Sequence, residues 1–162
     1  KPRWLQDCRE YMVTAWGAKI TEGYEADDAI GINAMADTII ASDDKDLLQI
    51  PGKHYNIRTQ KMLEVSDEEA IWMFYFQLLV GDSADNIKGV KGIGKVKASR
   101  ALEVGMSEWD MFEVCRNLYN NDEEMLMNGQ CLHILRKEGD IWQFPLQGII
   151  ELEQEVQSVS MR

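Results

Sequence analysis

The spacing of apolar positions along this chain changes several times, and each change marks an element. Over residues 4–16, Leu5, Cys8, Met12 and Ala15 recur at intervals of three and four, with Asp7, Arg9 and Glu10 between them. That is the pattern of an amphipathic helix, with Gly17 placed to stop it. Ala18-Lys19-Ile20-Thr21 reads as a short strand and Glu22-Gly23 as a turn. Ala26, Ala29, Ile30, Asn33 and Ala34 return to the helical period. Residues 37–42 are β-branched and apolar at the centre, the pattern of a buried strand. A short helix closed by Pro51-Gly52 follows, and then a strand over residues 54–58, with His54 near the surface.

Ser66 and Glu69 stand at capping-box spacing. They open a helix with a strong apolar stripe of Ala70, Ile71, Phe74, Tyr75, Leu78 and Leu79. Trp72 and Phe76 read as core rather than as a platform for stacked bases. Past Gly105, Ser107 caps a helix bearing Trp109, Phe112, Cys115 and Tyr119, which Asn120-Asn121-Asp122 breaks. A second helix is predicted to about Lys137, with Met125, Gly129, Leu132 and Leu135 inside it. Residues 139–162 read as a terminal strand or a loosely packed tail. There is no internal repeat and no low-complexity segment.

Composition narrows the picture. The 162 residues suffice for one domain, or one domain plus an appended module. No apolar run approaches the roughly 18–20 residues that cross a bilayer, so no membrane partner is expected. The start, Lys1-Pro2-Arg3-Trp4-Leu5, has neither an initiator Met nor the apolar core of a signal peptide, so the chain is expected to begin inside a longer polypeptide. Cys8, Cys115 and Cys131 are odd in number and lack C-x-x-C spacing, which suggests a reduced, cytoplasmic setting (the host cytoplasm if the source is viral). Cys131 and His133 would make half a zinc site, but no second pair matches them, and the cysteines read better as buried small apolar residues. A net charge of −11 argues against indiscriminate binding to polyanions. A nucleic acid partner would need metal ions to neutralise some of the acids, and a local concentration of basic residues.

Both arrangements occur. Glu25, Asp27 and Asp28 fall in the first turn of a predicted helix, after a glycine turn. The helix dipole accounts for one or two acids there, less readily for three. Asp43, Asp44 and Asp46 follow the strand at 37–42, where an open α/β sheet places its site; capping of the short helix is the other reading. Asp82 and Asp85 have the spacing that shares one face of a helical turn and suits a divalent cation. From Asn86 to Leu102 no residue is acidic, yet Lys88, Lys91, Lys95, Lys97 and Arg100 lie there, five of the chain's 17 basic residues. Gly89, Gly92 and Gly94 read as a hairpin whose amides would grip a phosphate beside Lys95 and Lys97; a merely solvated helix face is the weaker alternative.

In this order, the motifs resemble those of the 5′ nuclease family: flap endonucleases, the 5′-nuclease domains of bacterial DNA polymerase I and bacteriophage 5′–3′ exonucleases. Glu25-Ala26-Asp27-Asp28 matches the family's E-A-D-D. Ser42 to Gln49 resembles S/T-G-D-K-D-L-x-Q, with Asp43 for the usual Gly. Residues 81–87 resemble G-D-x-S-D-N-I, and residues 89–98 match the helix-three-turn-helix, with Lys88 and Lys91 where proline is common. The run Asn128–Arg136 is similar to the phage branch. The resemblance covers about residues 4–136. Absent are the family's first Asp-bearing strands and its basic helical arch.

The resemblance implies an α/β fold: a partial PIN-like, parallel-sheet nuclease core over residues 1–80, a helix-three-turn-helix region over 81–138 and a tail over 139–162. It implies two Mg²⁺ or Mn²⁺ ions, with Glu25 and Asp27 at the first, Asp44, Asp46, Asp82 and Asp85 at the second, and Asp28 between them. Lys88, Gly89, Lys91, Gly92, Gly94, Lys95 and Lys97 would hold DNA, with K⁺ at the Gly89–Gly94 hairpin. The expected activity is metal-dependent 5′–3′ exonuclease or flap endonuclease cleavage of DNA in replication or primer removal. The expected partner is DNA with a 5′ end or flap, RNA–DNA primer hybrids included, bound by a monomer. The alternative is a non-catalytic DNA-binding module or an inactive fragment of such a nuclease. An acidic interaction domain would leave the glycine-lysine hairpin incidental.

Overall fold

The computed structural model describes residues 2–103 and 105–145. Its elements run α1 (Leu5–Trp16), α2 (Ala26–Asn33), β1 (Ile39–Ser42), a 3-10 helix (Asp46–Gln49), β2 (Gly52–Asn56), β3 (Lys61–Val65), α3 (Asp67–Val80), β4 (Gly81–Asp82), β5 (Ile87–Lys88), α4 (Lys95–Ala101), α5 (Glu108–Tyr119) and α6 (Asp122–Leu132).

Helix α3 is the pillar. The Glu69 amide donates to Ser66 Oγ at 3.1 Å and the Ser66 amide to Glu69 Oε2 at 2.9 Å, closing the predicted capping box. Ala70, Phe74, Tyr75, Leu78 and Leu79 are buried. Phe74, Tyr75, Leu78 and Leu79 pack with Ala98 of α4, Met111, Phe112 and Cys115 of α5, and Met125 and Leu132 of α6 into the larger apolar cluster among the described residues. Tyr75 and Cys115 sit so deep that burial pushes both side chains' pKa values upward. Trp72 stacks on Phe76 at 4.9 Å and donates its indole N–H to Leu102 O at 2.9 Å, so this pair ties α3 to the end of α4, as the core reading expected.

The sheet departs from expectation. Its order is β1-β2-β3, with β1 and β2 parallel but β2 and β3 antiparallel. It is a small mixed sheet, not a parallel core. Strand β3 was not expected. Its hairpin is set by Asn56, whose Oδ1 accepts from the amides of Arg58 and Thr59, and by Gln60 in the left-handed region. Strand β1 is only half-buried, with Ile40 alone of its residues in the core. His54 lies buried, its Nε2 2.7 Å from Ile50 O, rather than near the surface.

Other expectations also need correction. Residues 18–21 form no strand. Helix α1 ends as predicted, with Gly17 left-handed and Ala18 N bonded to Met12 O, yet none of its residues is buried. Of the cysteines, Cys115 is buried but Cys8 and Cys131 are exposed. Helix α6 ends at Leu132 because the chain turns extended at His133. Residues 139–145 do not hang loose: Trp142 is buried against Phe74 and covers Gly129, where a Cβ would run into its ring. The rest of the predicted tail lies outside the described residues. No described helix is long and apolar enough to cross a membrane.

Candidate active site

Three separate segments bring their acids to one pocket of about 400 Å³. Glu25, Asp27 and Asp28 come from the start of α2, Asp46 from the 3-10 helix, and Asp82 and Asp85 from the β4–β5 turn. Gln77, Ile87 and residues 130–135 complete the wall. Asp44 is not in that wall. Its Oδ1 accepts the Asp46 amide at 3.0 Å and its own amide donates to Ser42 Oγ, so it shapes the turn that aims Asp46. Asp82 and Asp85 do not share a helical face as expected. Asp82 lies on β4 and Asp85 in the following turn, where Asp82 Oδ1 accepts the Ala84 amide at 2.7 Å and Asn86 is left-handed.

Two carboxylates are tied down. Asp28 accepts the Glu25 amide at 3.2 Å through one oxygen and the Leu135 amide at 3.0 Å through the other. Gly31, one turn along, allows the Leu135 carbonyl to approach closely enough that a Cβ would collide with it. Asp28 therefore fixes α2 to the far wall, and each of its oxygens keeps a further acceptor site. Asp46 Oδ1 accepts from Gln77 Nε2 at 2.6 Å, with Lys45 Nζ 3.5 Å away.

The acids, tied down or not, repel one another. Asp27, burial, Asp85 and Asp28, in that order, raise the pKa of Glu25. Burial raises that of Asp46, with Asp44 and Asp82 adding to it and Lys45 opposing. Among the described residues, no three His, Cys, Asp or Glu side chains form a ready-made metal cluster. The donor set is nonetheless all carboxylate and short of positive charge, which is the chemistry of a hard divalent cation that keeps much of its water.

The basic stretch divides by role. Gly89 is a packing glycine: a Cβ there would strike Leu79 O and Val80 C. Gly92 supplies a turn at φ +82°, and Gly94 caps α4. The amides of Gly92 and Gly94 have no acceptor among the described residues. Lys88, Lys91 and Lys95 are exposed; Lys97 folds back to donate to Gly92 O at 2.8 Å. Lys88 O accepts from Asn128 Nδ2 at 2.8 Å, which ties β5 to α6.

No protein-family profile matches the chain. Individual proteins do. DNA polymerase I of Caldicellulosiruptor bescii is 31% identical over 137 residues, covering 72% of this chain and 16% of that protein. The 5′-3′ exonuclease of Mycoplasma genitalium is 31% identical over 127 residues, 66% of this chain and 44% of the relative. DNA polymerase I of Borreliella burgdorferi is 31% identical over 147 residues, 80% and 15% respectively. The chain belongs to the 5′ nuclease family.

It spans less than half the length of each of these relatives. Within this family member, sequence reasoning missed the buried amides behind the acids. Gln49 and Gln77 are both buried, and Gln49 Nε2 donates to Gln77 Oε1 at 2.6 Å and to Leu132 O at 2.9 Å. Gln49 closes the second motif, so the sequence carried a sign of it. Gln77 carried none, and the 132–136 strap stood out only as part of a run of family resemblance, since both act through contacts distant in sequence.

Proposed function

We propose that this chain supplies the metal-holding and DNA-holding parts of a 5′–3′ exonuclease or flap endonuclease that hydrolyses DNA phosphodiesters. The observation that carries this is the convergence of six carboxylates from three segments on one pocket, beside an acid-free basic stretch. Two Mg²⁺ or Mn²⁺ ions would supply an activated water and charge stabilisation at the leaving oxygen. Glu25 and Asp27 would hold one ion, and Asp46, Asp82 and Asp85 the other. Asp28 would keep the two groups in one wall, and Asp44 would aim Asp46.

Segment 81–101 then serves as a helix-hairpin-helix anchor for duplex DNA downstream of the cut. The free Gly92 and Gly94 amides would meet a phosphate, with Lys88, Lys91 and Lys95 around it. A K⁺ ion at Gly89–Gly94 would require Lys97 to leave Gly92 O, which its ammonium now occupies. Residues 128–136, the run similar to phage exonucleases, contribute Gln130 to Leu135 to the pocket wall.

The test is incubation with a 5′-ended duplex and with a 5′ flap, in Mg²⁺ and in EDTA. Mg²⁺-dependent release of short products from the 5′ end is the expected result. The second reading is a binding module without cleavage, for which the exposed Lys88, Lys91 and Lys95 and the amides of Gly92 and Gly94 would suffice. DNA binding with no product at any Mg²⁺ or Mn²⁺ concentration would establish it. Lys95→Ala is expected to weaken binding a few-fold and lower the salt slope by about 0.9, the share of one phosphate contact, in titrations across salt concentrations.

Metal should also register in stability. Glu25 and Asp46 bind their protons more tightly folded than unfolded, since their folded pKa values are raised from 4.5 and 3.8. Their contribution to metal-free stability is therefore greatest below the unfolded values and is lost as pH rises through them to the folded values. Added Mg²⁺ at about ten times its Kd should raise Tm by roughly 3–5 °C near pH 7.5 and by less near pH 4, where protons compete with the ion at Glu25 and Asp46. Thermal melts with and without Mg²⁺ check this; an unchanged Tm at pH 7.5 would count against a shared cation site.

A further inference from the structure

Behind the carboxylate pocket runs a polar chain through an otherwise apolar interior. Asp46 Oδ1 accepts from Gln77 Nε2 at 2.6 Å, and Gln77 Oε1 accepts from Gln49 Nε2 at 2.6 Å. Gln49 Nε2 also donates to Leu132 O at 2.9 Å, Gln49 Oε1 accepts the Ile134 amide at 3.4 Å, and the Gln49 carbonyl accepts from Arg136 Nη2. Gln49 and Gln77 are 1% and 4% exposed, so neither can trade these partners for water. The direction is forced. A carboxylate can only accept, so the NH₂ of Gln77 must face Asp46 and its oxygen must face Gln49. The same strap, residues 132–136, holds Asp28 through the Leu135 amide. Two acid groups that belong to different elements are thus referenced to one bracket.

We infer that Gln77 and Gln49 are positioning residues: they fix Asp46 Oδ1 from behind and leave its other oxygen directed to the divalent cation, at a set distance from the α2 acids. Outer partners of this kind orient a ligand that would otherwise rotate, and removing them lowers metal affinity by about 10–100-fold. The inference rests on the proposal that the pocket binds divalent ions.

The test is Mn²⁺ binding to the purified chain, without DNA, followed by the paramagnetic signal of free Mn²⁺. Gln77→Leu is expected to weaken Mn²⁺ binding about tenfold. In an Asp46→Asn background, the same substitution should have little further effect, because there is no carboxylate left to position. An equal loss in both backgrounds would mean that Gln77 serves only packing, and would overturn the inference alone. Failure of the unmutated chain to bind Mn²⁺ would overturn the metal reading and this one with it. A measurement on the unmutated protein covers the case in which Gln77→Leu does not fold: the side-chain amide signals of Gln77 in ¹⁵N spectra should move during Mg²⁺ titration. If they stay fixed while Mg²⁺ binds, Asp46 is not coupled to the ion through Gln77 and the inference falls.

Discussion

Asp82→Asn and Asp85→Asn are each expected to slow DNA cleavage on the order of 10³-fold while leaving DNA binding within about twofold. The asparagine is nearly isosteric, and at residue 82 its Oδ1 still accepts the Ala84 amide that shapes the turn. What is lost is one negative charge at the pocket. A carboxylate that holds a catalytic cation contributes several kcal/mol to the transition state, which sets the size of the expected loss. Stability should move the other way. Asp82 presses on Asp46, and Asp85 on Glu25, so neutralising either relieves repulsion in the metal-free protein. A variant that is at least as stable yet nearly inactive separates a chemical role from a structural one. Asp28→Asn makes the contrast, because Asp28 accepts two backbone amides and its loss should lower Tm first. Single-turnover rates with paired thermal melts decide. Activity within tenfold for both Asp82→Asn and Asp85→Asn would remove the β4–β5 turn from the chemistry.

Gly89→Ala is expected to destabilise the chain by about 3 kcal/mol, the upper part of the range for forcing atoms into a packed site. The new methyl would press on Leu79 O and Val80 C and come within 2.5 Å of Gly81 N. All three are backbone atoms, which cannot rotate aside. They sit at the end of α3, where Val90 N also bonds Leu79 O at 2.9 Å. Relief would push β5 off β4 and carry Asp82 with it. The neighbouring glycines calibrate the measurement. Gly92 has open space but a positive φ, so Gly92→Ala should cost only about 1 kcal/mol. Gly94 has open space and an ordinary φ, so its alanine variant should be near neutral. Urea unfolding of the three variants gives the ranking; equal midpoints would contradict the close backbone approach.

The sequence carried the acids well and their geometry poorly. Glu25, Asp27, Asp46 and Asp82 stand out because their motifs are local and their spacing is regular. The helices with strong caps, α3 from Ser66 and α5 from Ser107, were legible for the same reason, since the cap and stripe lie within one segment. Strand β3 was not, because four of its five residues are exposed and its pattern never alternates. Its pairing depends on an Asn56 turn and on β2, not on its own composition. Asp28 could be seen as an acid at a helix start, but its partner is the Leu135 amide, 107 residues away, and no periodicity reports such a bond. Gly89 illustrates the same limit: a glycine beside lysines suggested phosphate contact, and the structure uses it first for packing.

The bond from Asp28 to Leu135 has a consequence for synthesis. A ribosome delivers the α2 acids long before it delivers the strap that anchors them, and Gln49 likewise waits for Leu132 and Ile134. While residues 132–136 are still inside the exit tunnel, the emerged acids have no common frame and no fixed spacing. Alignment of the pocket therefore arrives late in translation, close to the moment the strap clears the tunnel, so a half-made chain carries the carboxylates without the spacing that the finished fold gives them.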